Sequence, residues 1–81
     1  MKKLLYIRWQ DHHNFSSAEW RDFEDFDEIK SFTVDSVGWL MNETKTHVAL
    51  AAHCSFDTEQ ATGEMMILKK TIIERREIPI E

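Results

Sequence analysis

VDSVGWLMNETKTHVALAAH, residues 34–53, is the stretch of this 81-residue chain that decides the fold. It predicts a strand, a polar turn at residues 42–45 and a second strand, which together form an antiparallel hairpin. Gly38 lies in the middle of the first strand, although the chain has only two glycines. Because glycine weakens a strand interior, its presence indicates a sharp bend of the sheet, a bulge or close packing against a neighbouring backbone.

The flanking sequence predicts further strands. Residues 3–9 place Leu5, Ile7 and Trp9 on one face and the residues between them on the other, which is the period of a β-strand. Residues 56–64 form a polar loop, in which Gly63 suits a positive φ. The strands predicted for the whole chain are residues 3–9, 33–41, 46–55, 64–69 and 72–80.

One segment between the first two strands predicts a short helix, placed at about residues 17–29. Ser16 followed by Glu19 matches a capping box, and Phe15 with Trp20 matches a hydrophobic staple. Apolar residues then recur every three positions, a spacing that also fits a 3₁₀ turn near residues 25–27. We expect this apolar stripe to pack against the sheet and the acidic remainder to face water. The stripe consists of Trp20, Phe23, Phe26 and Ile29.

The length allows one domain, residues 1–81, with a small core, and self-association is therefore expected. Short antiparallel strands with one helix predict a mainly β fold of the α+β class. Since curling removes the exposed edges of a sheet, we expect a small SH3-like or Sm-like β-barrel. The alternative is a strongly twisted antiparallel sheet of about five strands packed on the helix.

Net charge and cysteine content limit the partners and the cellular compartment that the sequence favours. The net charge of −5 disfavours a nucleic acid as the main partner. The single cysteine, Cys54, cannot form an internal disulfide, which favours the cytoplasm. Arg8 and Asp11 interrupt the first apolar residues before a signal peptide or a membrane span could be completed, so we expect no membrane partner.

The order of several short motifs resembles a set of small proteins encoded by bacteriophages and prophages. IRWQDHH, DSVGWLMNET, VALAAH and the closing GEMMILKKTIIERREI match, in order, a W-x-D start, an S-V-G-W strand, a V-x-L-A strand and an isoleucine-rich tail. The chain departs from the pattern where ILKKTI replaces an I-P-K-x-x-I ending. The resemblance implies a phage protein that acts in the cytoplasm of a bacterial host, and it implies a source and a fold more than an activity.

The residue types that could support catalysis or metal binding are not arranged in a recognised motif. Asp11, His12 and His13 adjoin two serines, but adjacent residues rarely face each other as catalytic groups must. We therefore expect no enzyme and no catalytic residues. His53 and Cys54 would point to opposite faces of one strand, and the histidines lack the spacing of a zinc site. We expect neither a metal nor a cofactor.

The function that the sequence favours is a non-enzymatic, homo-oligomeric binding protein. A pocket between subunits could hold a small nucleotide-type ligand with a few donors and aromatic faces, and the phage resemblance suggests a signal of anti-phage defence. Both tryptophans of the predicted site could instead belong to the core. The predicted ligand-binding residues are Arg8, Trp9, His12, His13, Trp39 and His53.

Two alternatives remain open at this point. The acidic segment 19–28, from Glu19 to Glu28, could bind a basic surface of a host protein as an inhibitor. An Sm-like fold could instead bind RNA through a basic cluster near the C-terminus. That cluster consists of Lys69, Lys70, Arg75 and Arg76.

Overall fold

The computed structural model describes residues 2–12, 20, 22–26 and 31–80, and these form five antiparallel strands in one sheet. The spatial order of the strands is β4-β3-β2-β1-β5. The predicted mainly β fold is confirmed. The strands are β1 (Leu4–His12), β2 (Ser31–Glu43), β3 (His47–Ser55), β4 (Gln60–Leu68) and β5 (Ile72–Ile78).

Hydrogen bonds close the turn between β2 and β3, and the next loop along the chain differs in length from its prediction. In the β2–β3 hairpin, the Thr44 amide donates to the His47 carbonyl at 2.9 Å, and the Thr44 hydroxyl accepts from the His47 amide at 3.0 Å. The predicted hairpin is therefore confirmed. The loop before β4 is shorter than predicted, because β4 already begins at Gln60. Gly63 has the predicted positive φ, 73°, but lies inside β4.

The predicted helix falls mostly outside the described residues. Within it, Phe23–Phe26 form a 3₁₀ turn of four residues. The expectation that the apolar stripe packs is wrong for its first two members, since Trp20 is 101 % exposed and Phe23 is 92 % exposed. A single 3₁₀ turn is too short to present a continuous apolar face to a sheet.

The largest cluster of buried side chains lies on one face of the sheet, which we call the inner face. Leu5, Ile7, Val48, Leu50 and Ile67 form its buried cluster. Pairing explains why they meet: alternate residues of a strand share a face, and Val48 lies opposite Ile67. The partly buried side chains that pack on this cluster are Trp9, Leu40 and Ile72.

A very short connection constrains the curvature of the sheet. β4 and β5 lie at opposite edges, yet only the 3₁₀ turn Lys69–Thr71 joins them. Leu68 and Ile72 are four residues apart, so their Cα atoms are at most about 14 Å apart. Crossing a flat sheet of this order would take about 19 Å, from four inter-strand steps of about 4.8 Å. The sheet must therefore curve so that its two edges approach at this end.

The structure assigns a packing reason to Gly38. This residue is buried and lies opposite Leu5 in the ladder between β1 and β2. The φ angle of Gly38 is not positive. A Cβ added there would lie 2.9 Å from the Leu50 Cβ and 3.0 Å from the Ala51 carbonyl oxygen. Of the three explanations considered from the sequence, close approach of β3 is the one that these distances support.

Candidate functional site

Arg8 and Trp9, two of the predicted site residues, lie on opposite faces of β1. The Trp9 indole packs against the core, and its Nε1 donates to the Ser36 hydroxyl at 3.0 Å. Ser36 is only 6 % exposed. Trp9 is thus a core side chain that satisfies a buried hydroxyl, and the structure does not bring it together with Arg8.

Arg8 belongs to a polar network on the other side of the sheet, the outer face. Its Nε donates to Asp35 Oδ1 at 2.8 Å, and the Tyr6 hydroxyl donates to the same oxygen at 2.6 Å. These two hydrogen bonds, first from Arg8 and then from Tyr6, lower the pKa of Asp35. The same contact with Asp35 raises the pKa of Tyr6. Because Asp35 compensates the charge of Arg8, an anionic ligand there would have to compete with an existing ion pair.

Of the other predicted site residues, the structure describes the side chains of Trp39 and His53 but not those of the two adjacent histidines. His13 and the side chain of His12 lie outside the described residues. Trp39 makes an edge-to-face contact with Phe56, with ring centroids 5.2 Å apart and planes at 87°. His53 is exposed on β3 opposite Thr62. Trp39 and His53 are therefore both associated with the turn end of the β3–β4 hairpin.

This turn end carries a cleft of about 730 Å³, which we call the hairpin cleft. A neighbouring cleft of about 530 Å³ includes His53 and shares Cys54, Ser55 and Gln60 with it. In the hairpin cleft, the Cys54 thiol contacts the Met41 sulfur at 3.8 Å. The groups lining the hairpin cleft that can bind a ligand are Lys2, Ser55, Phe56, Glu59 and Gln60.

The chemistry of the hairpin cleft combines one cation, one carboxylate, one aromatic ring and small polar groups. Lys2 supplies an ammonium with three donors, and Gln60 supplies both a donor and an acceptor. Phe56 supplies an aromatic ring, which makes an edge-to-face contact with the ring of Trp39. Such a set can bind and orient a small polar aromatic molecule.

Sequence reasoning missed Lys2, Phe56 and Gln60. Lys2 stood out only as part of the chain start, and the other two lay in a segment interpreted as a polar loop. An aromatic residue directly after a predicted strand, as Phe56 is, was the available local signal. Their proximity to Lys2 depends on the pairing of distant strands, which no local pattern contains.

A second charged cluster joins the C-terminal part of the chain to the β2–β3 hairpin. Arg75 donates two hydrogen bonds to the Glu43 carboxylate, at 3.0 and 2.8 Å, and the Lys69 ammonium lies 2.7 Å from it. Arg75, and after it Lys69, lowers the pKa of Glu43 to about 2. Arg76 lies 3.3 Å from Glu74. Three of the four residues predicted for RNA binding are therefore already in ion pairs within the chain.

Neither a metal site nor a membrane-spanning helix is found among the described residues. No three His, Cys, Asp or Glu side chains in that part of the chain are grouped as a metal site requires. Within the same residues, no helix is long and apolar enough to cross a membrane. No protein-family model matches the chain, and neither the curated proteins nor the solved structures include a significant match to it.

Proposed function

We propose that this chain is a non-enzymatic binding protein, acting as a homo-oligomer, that holds a small nucleotide-type ligand in the hairpin cleft. The observation that carries the proposal is the cleft itself. Its volume of about 730 Å³ lies within the range of about 300–1,000 Å³ that is usual for small-molecule sites. The clefts at this turn also adjoin Trp39 and His53, two residues proposed from the sequence.

The lining matches the parts of a nucleotide. Lys2 provides a charge for a phosphate, and Phe56 provides a ring for a base. Gln60 and Ser55 offer hydrogen bonds to base edges, while Glu59 can accept from sugar hydroxyls. No group in this set is arranged as a nucleophile with a base, which favours binding over catalysis.

The biological setting of the proposal comes from the sequence resemblance. A small phage-encoded protein in the host cytoplasm that binds nucleotide-type molecules would act by sequestering a signal of anti-phage defence. The approach of the two sheet edges at Lys69–Thr71 supports a barrel of the SH3-like or Sm-like type. Curvature of this kind gathers side chains from several strands at one end of the molecule.

Native mass spectrometry of the protein purified from bacteria tests the proposal, because it reports both the oligomer and any retained ligand. An extra mass of a few hundred daltons per chain is expected, and its removal by denaturation identifies the ligand. Titration calorimetry with that ligand should then show about tenfold weaker binding for Lys2→Ala, as loss of a charged hydrogen bond implies. Phe56→Ala should weaken binding similarly through lost stacking, of about 1–3 kcal/mol per base.

Lys45→Ala is the matched control, because Lys45 is an exposed lysine of the β2–β3 turn. It should bind as the wild type does. Arg8→Ala should also retain binding, since Arg8 lies on the outer face with Asp35. Full affinity in the Lys2 and Phe56 variants would refute the hairpin cleft as the site.

A second candidate function is inhibition of a host protein through the acidic segment 19–28. The observation that favours it is the exposure of Trp20 and Phe23 beside acidic residues, since exposed aromatic residues are common anchors of interfaces. Reversing Asp22, Glu24 and Asp25 to lysine should release a bound host protein in a pull-down. Retention of the protein by that variant would count against this function. RNA binding is disfavoured by the ion pairs of Lys69, Arg75 and Arg76.

A further inference from the structure

β5 is an edge strand of the sheet that the described residues form. It pairs with β1, and no other strand in the described part of the chain lies beside it. An open edge presents unpaired backbone donors and acceptors to any strand that can add to it. The side chains of β5, in the sequence IIERREI, therefore decide which strand that could be.

The outer face carries an ordered row of charges that leads to this edge. In the register of the sheet, Arg8 lies opposite Asp35 on one side and opposite Glu74 on the other. Tyr6 lies opposite Arg76, whose guanidinium stands 4.8 Å from the centre of the Tyr6 ring. The charges thus alternate across the strands, and a strand added to β5 would extend the row with a cation opposite Glu74 and an anion opposite Arg76.

We propose that β5 pairs with β5 of a second copy of this chain, antiparallel and centred on Arg75. In this register, Glu74 of each copy lies opposite Arg76 of the other, so two opposite-charge pairs form on the outer face beside the ion pair that Arg76 makes with Glu74 of its own chain, at 3.3 Å. Directly opposed side chains have Cβ atoms about 4.5–5.5 Å apart, close enough for an ion pair. Because a bulge beyond Glu74 places Ile72 opposite Trp9 on the inner face, whereas Ile78 lies opposite Leu4 on the outer face, the regular pairing covers residues 74–76 of each strand.

The charge at the centre of this interface is partly compensated, because each Glu43 carboxylate is shared between Arg75 and Lys69. The register places Arg75 of one copy opposite Arg75 of the other, on the inner face. Each Arg75 is held by two hydrogen bonds to Glu43 of its own chain, at 3.0 and 2.8 Å. The Glu43 carboxylates therefore reduce the repulsion between the two guanidinium groups.

The two neighbouring registers each place like charges opposite each other on the outer face. A two-fold axis perpendicular to the sheet places the inner faces of both copies on the same side. Each possible register is therefore centred on one residue of β5, which lies opposite the same residue of the other copy. Centring on Arg76 would pair Arg75 with Glu77 of the other copy on the inner face, but it would place two arginines opposite each other on the outer face. Centring on Glu74 would place two glutamates opposite each other there. Like charges directly opposite are destabilising. Arg75, with two hydrogen bonds to Glu43 at 3.0 and 2.8 Å, is better compensated than Arg76, which lies 3.3 Å from Glu74, so the Arg75-centred register is favoured.

Sedimentation equilibrium of the ligand-free protein, together with a mixing experiment, tests this inference. The wild type should form a dimer. Arg76→Glu alone and Glu74→Arg alone each turn both attractive pairs of their own dimer into like-charge pairs. Each should raise the dissociation constant of the dimer by about tenfold or more.

An equal mixture of the two single variants should restore dimerisation. In the mixed dimer, both charge pairs across the interface are again opposite in sign. Native mass spectrometry should show at least about a tenfold excess of the mixed dimer over either self-dimer. Lys45→Glu, which makes the same charge change as Arg76→Glu in the β2–β3 turn, should dimerise as the wild type does. Circular dichroism of each variant confirms that it is folded.

Three outcomes would overturn the inference. These are a wild-type monomer at high protein concentration, a wild-type ring of three or more subunits, and a mixture without preference for the mixed dimer. The inference rests on the proposed function only in requiring self-association. No ligand enters this experiment, so failure of the dimer is distinguishable from failure of ligand binding in the hairpin cleft.

Discussion

Replacement of Gly38 by alanine should destabilise the fold through one methyl group. The added Cβ would lie 2.9 Å from the Leu50 Cβ and 3.0 Å from the Ala51 carbonyl oxygen, and neither belongs to the flexible end of a side chain. Overpacking of this kind costs about 1–3 kcal/mol. Because alanine also restricts the unfolded chain, about 0.4–1 kcal/mol is recovered. The net loss in the free energy of unfolding is about 1–2 kcal/mol.

Urea denaturation monitored by tryptophan fluorescence measures this loss directly. For a domain of this size, each kcal/mol lowers the melting temperature by about 4–8 °C. Gly38→Val should cost more than Gly38→Ala, since its methyl groups enter the same occupied space. Val37→Ile is the matched control, because it adds one carbon to an exposed residue of the same strand and should change stability by less than about 0.5 kcal/mol. Wild-type stability in Gly38→Ala would refute the close approach of β3 as the reason for this glycine.

Two further predictions concern polar contacts. The pKa of Glu43 in the folded protein is about 2, below its ordinary value of 4.5, so its contribution to stability is complete above pH 4.5 and is lost as the pH falls towards 2. In urea denaturation, the difference in the free energy of unfolding between the wild type and Glu43→Gln should therefore shrink as the pH falls over that range. A difference that does not depend on pH would contradict the ion pairs. Glu77→Gln is the control and should not show this change with pH. Trp9→Phe and Ser36→Ala should each destabilise the fold, with the double variant less destabilised than the sum by about 1 kcal/mol, because both single variants break the same hydrogen bond. Strictly additive free energies of unfolding would show that this bond contributes nothing.

The strands were predictable from the sequence because their signal is local. Alternation of Leu5, Ile7 and Trp9 placed them on one face, and the structure buries or partly buries all three. The same alternation already separated Arg8 from Trp9, so combining them in one site was inconsistent with the predicted strand. Neither the pairing of β5 with β1 nor the proximity of Phe56 to Lys2 has a local signal, since each depends on residues far apart in the chain.

The position of β1 inside the sheet has a consequence for synthesis of the protein. Leu4 lies opposite Ile78, so the strand made first has the strand made last as one of its two neighbours. Until Ile78 has left the ribosome, β1 can pair only with β2, and one of its edges stays open to other nascent chains. Completion of the sheet therefore waits for the synthesis of β5, and removal of β5 would leave β1 as an exposed edge.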